Sequence, residues 1–225
     1  MTPTRNGMPH RSPASGGASF KVLTISREYG SGGGAIARRV ADKLGWYLLD
    51  QALLDAIARI AQVDPKIVRQ YDEHVDVWSK EFHQDGLRSL AVEAGLPPVD
   101  LQFFDADTMA EYAQYVIASA ASRGNTVIVG RGAPCVLEER PDAFHVFVYA
   151  PLAERMARVR RRVEVCEDVE ELIRLTDEQR SSYVRKYYGC DWRNPRLYHM
   201  MISSLLGVER AASIIVEALV GGGRA

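Results

Sequence analysis

Two apolar periods alternate along the chain. Short uninterrupted runs at 22–26, 46–49, 126–129, 144–149 and 200–202 have the length and the β-branched or aromatic content of buried strands. Between them the apolar spacing widens to helical period. Ile36, Val40 and Leu44 share one face of a helix predicted over 35–44, which Gly45 closes. Further helices are predicted over 53–61, over 108–123 up to Gly124, from 152, over 167–188 and over 208–220. Residues 64–104 break the alternation, with an aromatic stretch from Trp78 to Phe82 and the breaker Pro97-Pro98, and read as an inserted helical lobe. Strands separated by helices predict an α/β domain over 19–225, a doubly wound five-stranded parallel sheet with crossover connections.

In such a sheet ligands gather beyond the carboxyl ends of the strands. After the first strand comes Ser26-Arg27-Glu28-Tyr29-Gly30-Ser31-Gly32-Gly33-Gly34-Ala35, a glycine-rich turn into a helix. Successive backbone N–H groups at such a turn converge on an anion, and the helix dipole adds positive potential. Gly30, Ser31, Gly32, Gly33 and Gly34 are therefore candidate phosphate contacts. The usual phosphate loop nevertheless ends in Gly-Lys and a hydroxyl residue. Laid over the variant in which one glycine separates the last two, Arg27 stands where the first glycine belongs, Gly33 replaces the lysine and Ala35 the hydroxyl. A tight strand-to-helix turn without a ligand is the alternative.

Other strand ends add charge. Asp50, after the second strand, suits a metal held through water, a substrate hydroxyl or a helix cap. Arg131 lies between Gly130 and Gly132, which free its backbone to turn. Arg155, Arg158, Arg160, Arg161 and Arg162 crowd one segment, which by itself reads as a solvated helix face. Asp177 and Arg180, three apart on a helix, read without other information as a surface ion pair.

Composition removes several classes. Lys plus Arg (28) nearly balances Asp plus Glu (29), so no global basic field points to nucleic acid or an anionic membrane. Cys135, Cys166 and Cys190 lack metal spacing and predict a reduced, cytoplasmic protein without structural zinc. The five histidines share no metal spacing either. No apolar run approaches the ~18–20 residues of a membrane span. Residues 1–18, rich in Pro, Gly and Ser, predict a disordered tail. Trp78, Phe82, Phe103, Phe104 and Tyr112 suit either a base pocket or core packing.

From Lys21 to Val220 the chain resembles the cytidylate kinase-like family of the P-loop nucleoside monophosphate kinase superfamily. The resemblance rests on Ser26 to Gly33, on Val127-Ile128-Val129-Gly130-Arg131-Gly132-Ala133, on Ala150-Pro151-Leu152-Ala153-Glu154-Arg155 and on Asp177-Glu178-Gln179-Arg180. It implies transfer of a phosphoryl group from ATP, with Mg²⁺, to a nucleoside monophosphate such as CMP or dCMP. It also implies a monophosphate contact at Arg131, with Gly132 where cytidylate kinases carry Asp, and nucleotide contacts at Asp177 and Arg180. Within the 152–190 stretch, Arg155, Arg158 and Arg162 become lid residues closing over ATP. Arg27 is then the candidate substitute for the absent lysine. The alternative is a nucleotide-binding or regulatory module that kept the fold and lost catalysis.

Overall fold

The computed structural model describes residues 20–61, 64–66, 106–162 and 168–221. The predicted tail, Cys166 and nearly all of the predicted lobe over 64–104, including Trp78, Phe82, Phe103 and Phe104, lie outside the described residues. In chain order the elements are β1 (Val22–Arg27), α1 (Gly33–Leu44), β2 (Tyr47–Leu49), α2 (Gln51–Ala61), α3 (Ala106–Arg123), β3 (Thr126–Val129), α4 (Ala133–Val136), β4 (Ala143–Tyr149), α5 (Leu152–Arg160), α6 (Val169–Tyr188), β5 (Met200–Ser203) and α7 (Val208–Gly221). Five parallel strands pair in the order β2-β3-β1-β4-β5, the doubly wound sheet the alternation predicts.

Strand alternation sorts the core onto two faces. Leu23, Ile25, Val127, Val129, Val146 and Val148 meet Ile36, Ala37 and Val40 of α1 and Ala211, Ala212 and Ile215 of α7. Val22, Ile128 and Ala143 point the other way, into Leu53, Ile57, Met109, Ala113 and Ile117 of α2 and α3. Burying each such aliphatic side chain stabilises the fold by about 1.5–3 kcal/mol. Tyr112 packs in this second core, which decides its role between the two sequence alternatives. His145 is also structural: its Nδ1 shares a 2.8 Å hydrogen bond with Thr24 Oγ1, and its backbone N–H donates to His199 Nδ1.

Boundaries move where side chains carry no period. Helix α1 begins at Gly33, two residues ahead of the pattern, because glycines show no apolar face. Strand β1 runs on to Arg27, whose Cα pairs with Val148, because a terminal arginine hides the strand signal. Helix α4 has four residues, too few to display periodicity. Asp168 caps α6 by accepting the Glu171 N–H at 3.0 Å. Among the described residues no helix is long and apolar enough to cross a membrane.

Candidate functional site

The carboxyl ends of β1, β2, β3 and β4 surround one region. The glycine loop leaves β1 through Gly30 (φ 75°) and Gly32 (φ 84°), left-handed conformations that glycine adopts without a Cβ penalty. A Cβ at Gly30 would also lie 2.9 Å from Val159 Cγ2 and 3.0 Å from the Arg155 carbonyl. Helix α1 starts directly after Gly32, so its first-turn amides have no carbonyl within the helix and carry the positive dipole end. Ser31 Oγ is buried there with no hydrogen-bond partner among the described residues.

Position 33 accounts for the missing lysine. A Cβ at Gly33 would sit 2.5 Å from Arg27 Cβ and 2.9 Å from Arg27 Cγ. Carbon atoms at rest stay ~3.5–4.0 Å apart. The stem of Arg27 therefore takes the space through which a side chain at 33 would run, and Arg27 itself is only 9 % exposed.

Arg131 is the middle of three consecutive left-handed residues, with φ 75° at Gly130, 52° at Arg131 and 69° at Gly132. A non-glycine residue held there is strained, a feature that clusters at ligand sites. Its guanidinium is 3 % exposed, donates to the Val129 carbonyl at 3.3 Å and lies 4.0 Å from Asp50 Oδ1. The other Asp50 oxygen is 3.9 Å from where a Cβ of Gly34 would be. One carboxylate thus stands between the glycine loop and Arg131.

Arg27, Arg131 and Arg180 line one small pocket open to solvent. Pro134, Cys135, Val184, Trp192 and Tyr198 line it with them. Burial pushes the Tyr198 phenol up, and it donates to the Trp192 carbonyl at 2.5 Å. Burial also raises the Cys135 thiol, which is within hydrogen-bonding reach of Cys190; neither is a thiolate nucleophile near neutral pH. The Trp192 indole nitrogen is buried without a partner among the described residues. The pocket thus brings three arginines together beside Trp192 and Tyr198, a lining suited to an anionic group.

The predicted site residues separate into groups. Asp177 and Arg180 are not a surface ion pair: they are 2 % exposed each and part company. Arg180 donates to the Arg27 carbonyl at 3.0 Å and reaches the pocket. Asp177 turns to the glycine loop, where it accepts the Tyr29 N–H at 2.8 Å and pairs with Arg155. Arg155 and Arg158 both bond the loop, while Arg162 is exposed beyond the end of α5. Sequence reasoning missed Tyr188. A Cβ at Gly132 would overlap its ring, which fills the volume where the resemblance expects an aspartate. Cys135, on α4, and Trp192 and Tyr198, in the chain beyond α6, were also missed, since no local pattern announces that they meet at one pocket.

A glycine loop at the end of β1 in a parallel sheet of this order, beside an arginine-lined pocket, defines the class of P-loop kinase folds. Shikimate kinases from Acinetobacter baumannii, solved in complex with shikimate, and from Bacteroides thetaiotaomicron share the fold, with TM-scores of 0.53 and 0.51 and identities of 14% and 15%. The alignments cover 92% and 88% of this chain and 97% of each neighbour. An uncharacterized Eubacterium ventriosum protein superposes with TM-score 0.62 at 21% identity, over 88% of this chain and 97% of that one. Within the class, residues 22–205 match the cytidylate kinase-like family, and the chain belongs to it. A cytidylate kinase from Methanosarcina mazei is 31% identical over 109 residues, 44% of this chain. The match spans 59% of that relative's length.

Proposed function

We propose that the protein transfers the terminal phosphoryl group of ATP to a nucleoside monophosphate, with CMP or dCMP the acceptor to test first. The carrying observation is the Arg27 stem lying in the space beside Gly33, which supports reading Arg27 as the cation that serves a loop without its lysine. Family membership supports the reaction class. The amides of Gly32, Gly33 and Gly34, with the buried Ser31 hydroxyl, suit the donor phosphates; Arg131 and Arg180 suit the acceptor phosphate, with Trp192 and Tyr198 the aromatic residues beside them.

Phosphoryl transfer asks for position and for positive charge around the transferred group rather than for covalent chemistry by the protein. Arg27, at the end of β1, and Arg131, after β3, line the same pocket, which supports reading both as cations for the transferred group. Asp50, between Gly34 and Arg131, suits a hydrated Mg²⁺, which typically keeps several waters and takes one or two carboxylates. When bound, Mg²⁺ neutralises phosphate charge. Ala35 offers it no hydroxyl, so Asp50 and Ser31 are the groups this chain brings near the loop.

Coupled measurement of ADP release with ATP, Mg²⁺ and each monophosphate tests the proposal, beside calorimetric titration of the same ligands. Release restricted to one acceptor supports it. Binding of ATP and a monophosphate without ADP release would instead establish the non-catalytic module that the loss of the lysine and of the hydroxyl at 35 also suits.

A further inference from the structure

Side chains from α5 and α6 grip the glycine loop from its outer side. Tyr29 is held at both ends of its backbone: its N–H donates to Asp177 Oδ1 at 2.8 Å, and its carbonyl accepts from Arg155 Nε at 2.8 Å. Asp177 and Arg155 are bonded to each other, which closes a ring around that residue. Glu28 extends the ring, 3.3 Å from Arg155 Nη1 through one oxygen and accepting the Ala150 N–H through the other. One turn along α5, Arg158 Nη1 donates to the Ser31 carbonyl at 2.7 Å and to Ser204 Oγ at 2.8 Å, and lies 3.5 Å from the Gly30 carbonyl.

We infer that Arg155, Arg158 and Asp177 are positioning residues for the donor-phosphate loop, which they fix in its binding shape before a ligand arrives. The inference rests on reading the loop as the donor site. Carbonyl oxygens of Tyr29, Gly30 and Ser31 turned toward a phosphate would repel it; here guanidinium donors hold all three. The first-turn amides of α1 are thereby left as the groups the loop presents to an anion. A cation on the far side of a peptide also polarises it, strengthening the donor at its other end. Arg155 is 6 % exposed and Asp177 2 %, so both are spent on the loop rather than offered to solvent or to a nucleotide. Preorganisation of this kind lowers the ordering cost of binding. It gives a loop without its lysine a second source of positive potential.

Amide hydrogen exchange of the full chain without ligand tests the inference. Tyr29 and Ser31 report the loop, since their N–H groups are bonded to Asp177 and to the Glu28 carbonyl. Asp177→Asn and Arg158→Ala should each speed exchange at these amides by roughly tenfold or more, while Leu23 and Ile25 in β1 keep their rates. Arg158→Lys, which retains the charge on a single donor nitrogen, should recover part of the protection. Titration should find Mg·ATP affinity about tenfold lower in Arg158→Ala, with acceptor affinity unchanged. If Asp177→Asn fails to fold, the half-buried Arg158 still carries the test. Unchanged loop exchange overturns the inference even if ATP affinity falls, because Arg158 would then act by direct contact. Faster exchange at Leu23 and Ile25 as well overturns it too, as a merely structural role. A wild type that binds no ATP refutes the proposed function and leaves the exchange result to decide the positioning role.

Discussion

Positions 27 and 33 should behave as one unit. In Gly33→Ala the new Cβ falls 2.5 Å from Arg27 Cβ, about 1 Å inside ordinary carbon contact. The clashing atom belongs to the stem of Arg27, anchored to a strand paired with β4 at Val148, so rotating the guanidinium does not relieve it. Overpacking of this kind costs ~1–3 kcal/mol, or a melting point lower by roughly 2–4 °C per kcal/mol in a domain of this size. In Arg27→Gly the obstacle is gone, so the same substitution should become nearly neutral. A double-mutant cycle on melting temperature should therefore give a coupling of ~1–3 kcal/mol.

Activity follows the same logic. Arg27→Gly should lose about 10²–10³ in turnover, the cost of removing one preorganised electrostatic group. Gly33→Lys alone should lose stability without gaining rate. Arg27→Gly with Gly33→Lys exchanges glycine and cation and should recover a substantial share of the turnover. Initial rates of ADP release on the four proteins measure this. A Gly33→Lys protein as stable and active as wild type, or an exchanged pair no better than Arg27→Gly, would refute the reasoning.

Arg131→Ala should weaken monophosphate binding by ~1.5–3 kcal/mol through loss of a charge-assisted bond, with Mg·ATP affinity unchanged; equal affinities for CMP, AMP and phosphate in both proteins would exclude that role. Gly132→Asp should destabilise by ~1–3 kcal/mol through overlap with Tyr188, and Tyr188→Ala should relieve that overlap though not the strain of a side chain at φ 69°, as paired melting curves would reveal. Glu209 ties α7 to Arg39 and Lys43 of α1, and hydrogen bonds from these two carry its carboxyl down from 4.5 to about 2. A depressed carboxylate stabilises the fold above its unfolded value, so this contribution is present above pH 4.5 and fades as the pH falls toward about 2. Glu209→Gln should flatten the fall of melting temperature across that window, more visibly at low salt; superimposable profiles would discount the tie.

Strand positions were legible because both faces of a parallel sheet are covered, which makes 126–129 and 144–149 nearly continuous apolar runs. Arg27, Arg131 and Asp50 were legible as site candidates because strand ends in such a fold are where ligands gather. Partnerships were not. The spacing of Asp177 and Arg180 says that they share a helix, but which carbonyl or carboxylate each meets depends on how α6 crosses the loop, a long-range matter. Tyr188 and Trp192 were invisible for the same reason: the only local sign of Tyr188 is a glycine 56 positions earlier in sequence, at 132, whose empty side it fills.

The loop departs from the usual pattern in three places, and counting them separately overstates the loss. A residue larger than glycine at 27 and one larger than glycine at 33 compete for one volume, since the first carbon of each would lie within 2.5 Å of the other. A loop with lysine at 33 accordingly needs glycine at 27, and a loop with arginine at 27 needs glycine at 33. Two of the three departures are thus one exchange, in which the cation moves from the helix to the strand and the glycine moves the other way. Ala35 remains as an independent loss, and it concerns the metal rather than the phosphate. Asp50 stands beside Gly34, one residue from that gap, with an oxygen directed at the loop. Turnover in this chain is therefore expected to depend on Asp50 as well as on Arg27, and Asp50→Asn with its Mg²⁺ dependence measured tests that: a raised Mg²⁺ requirement would support Asp50 at the metal, and no change at all would remove it.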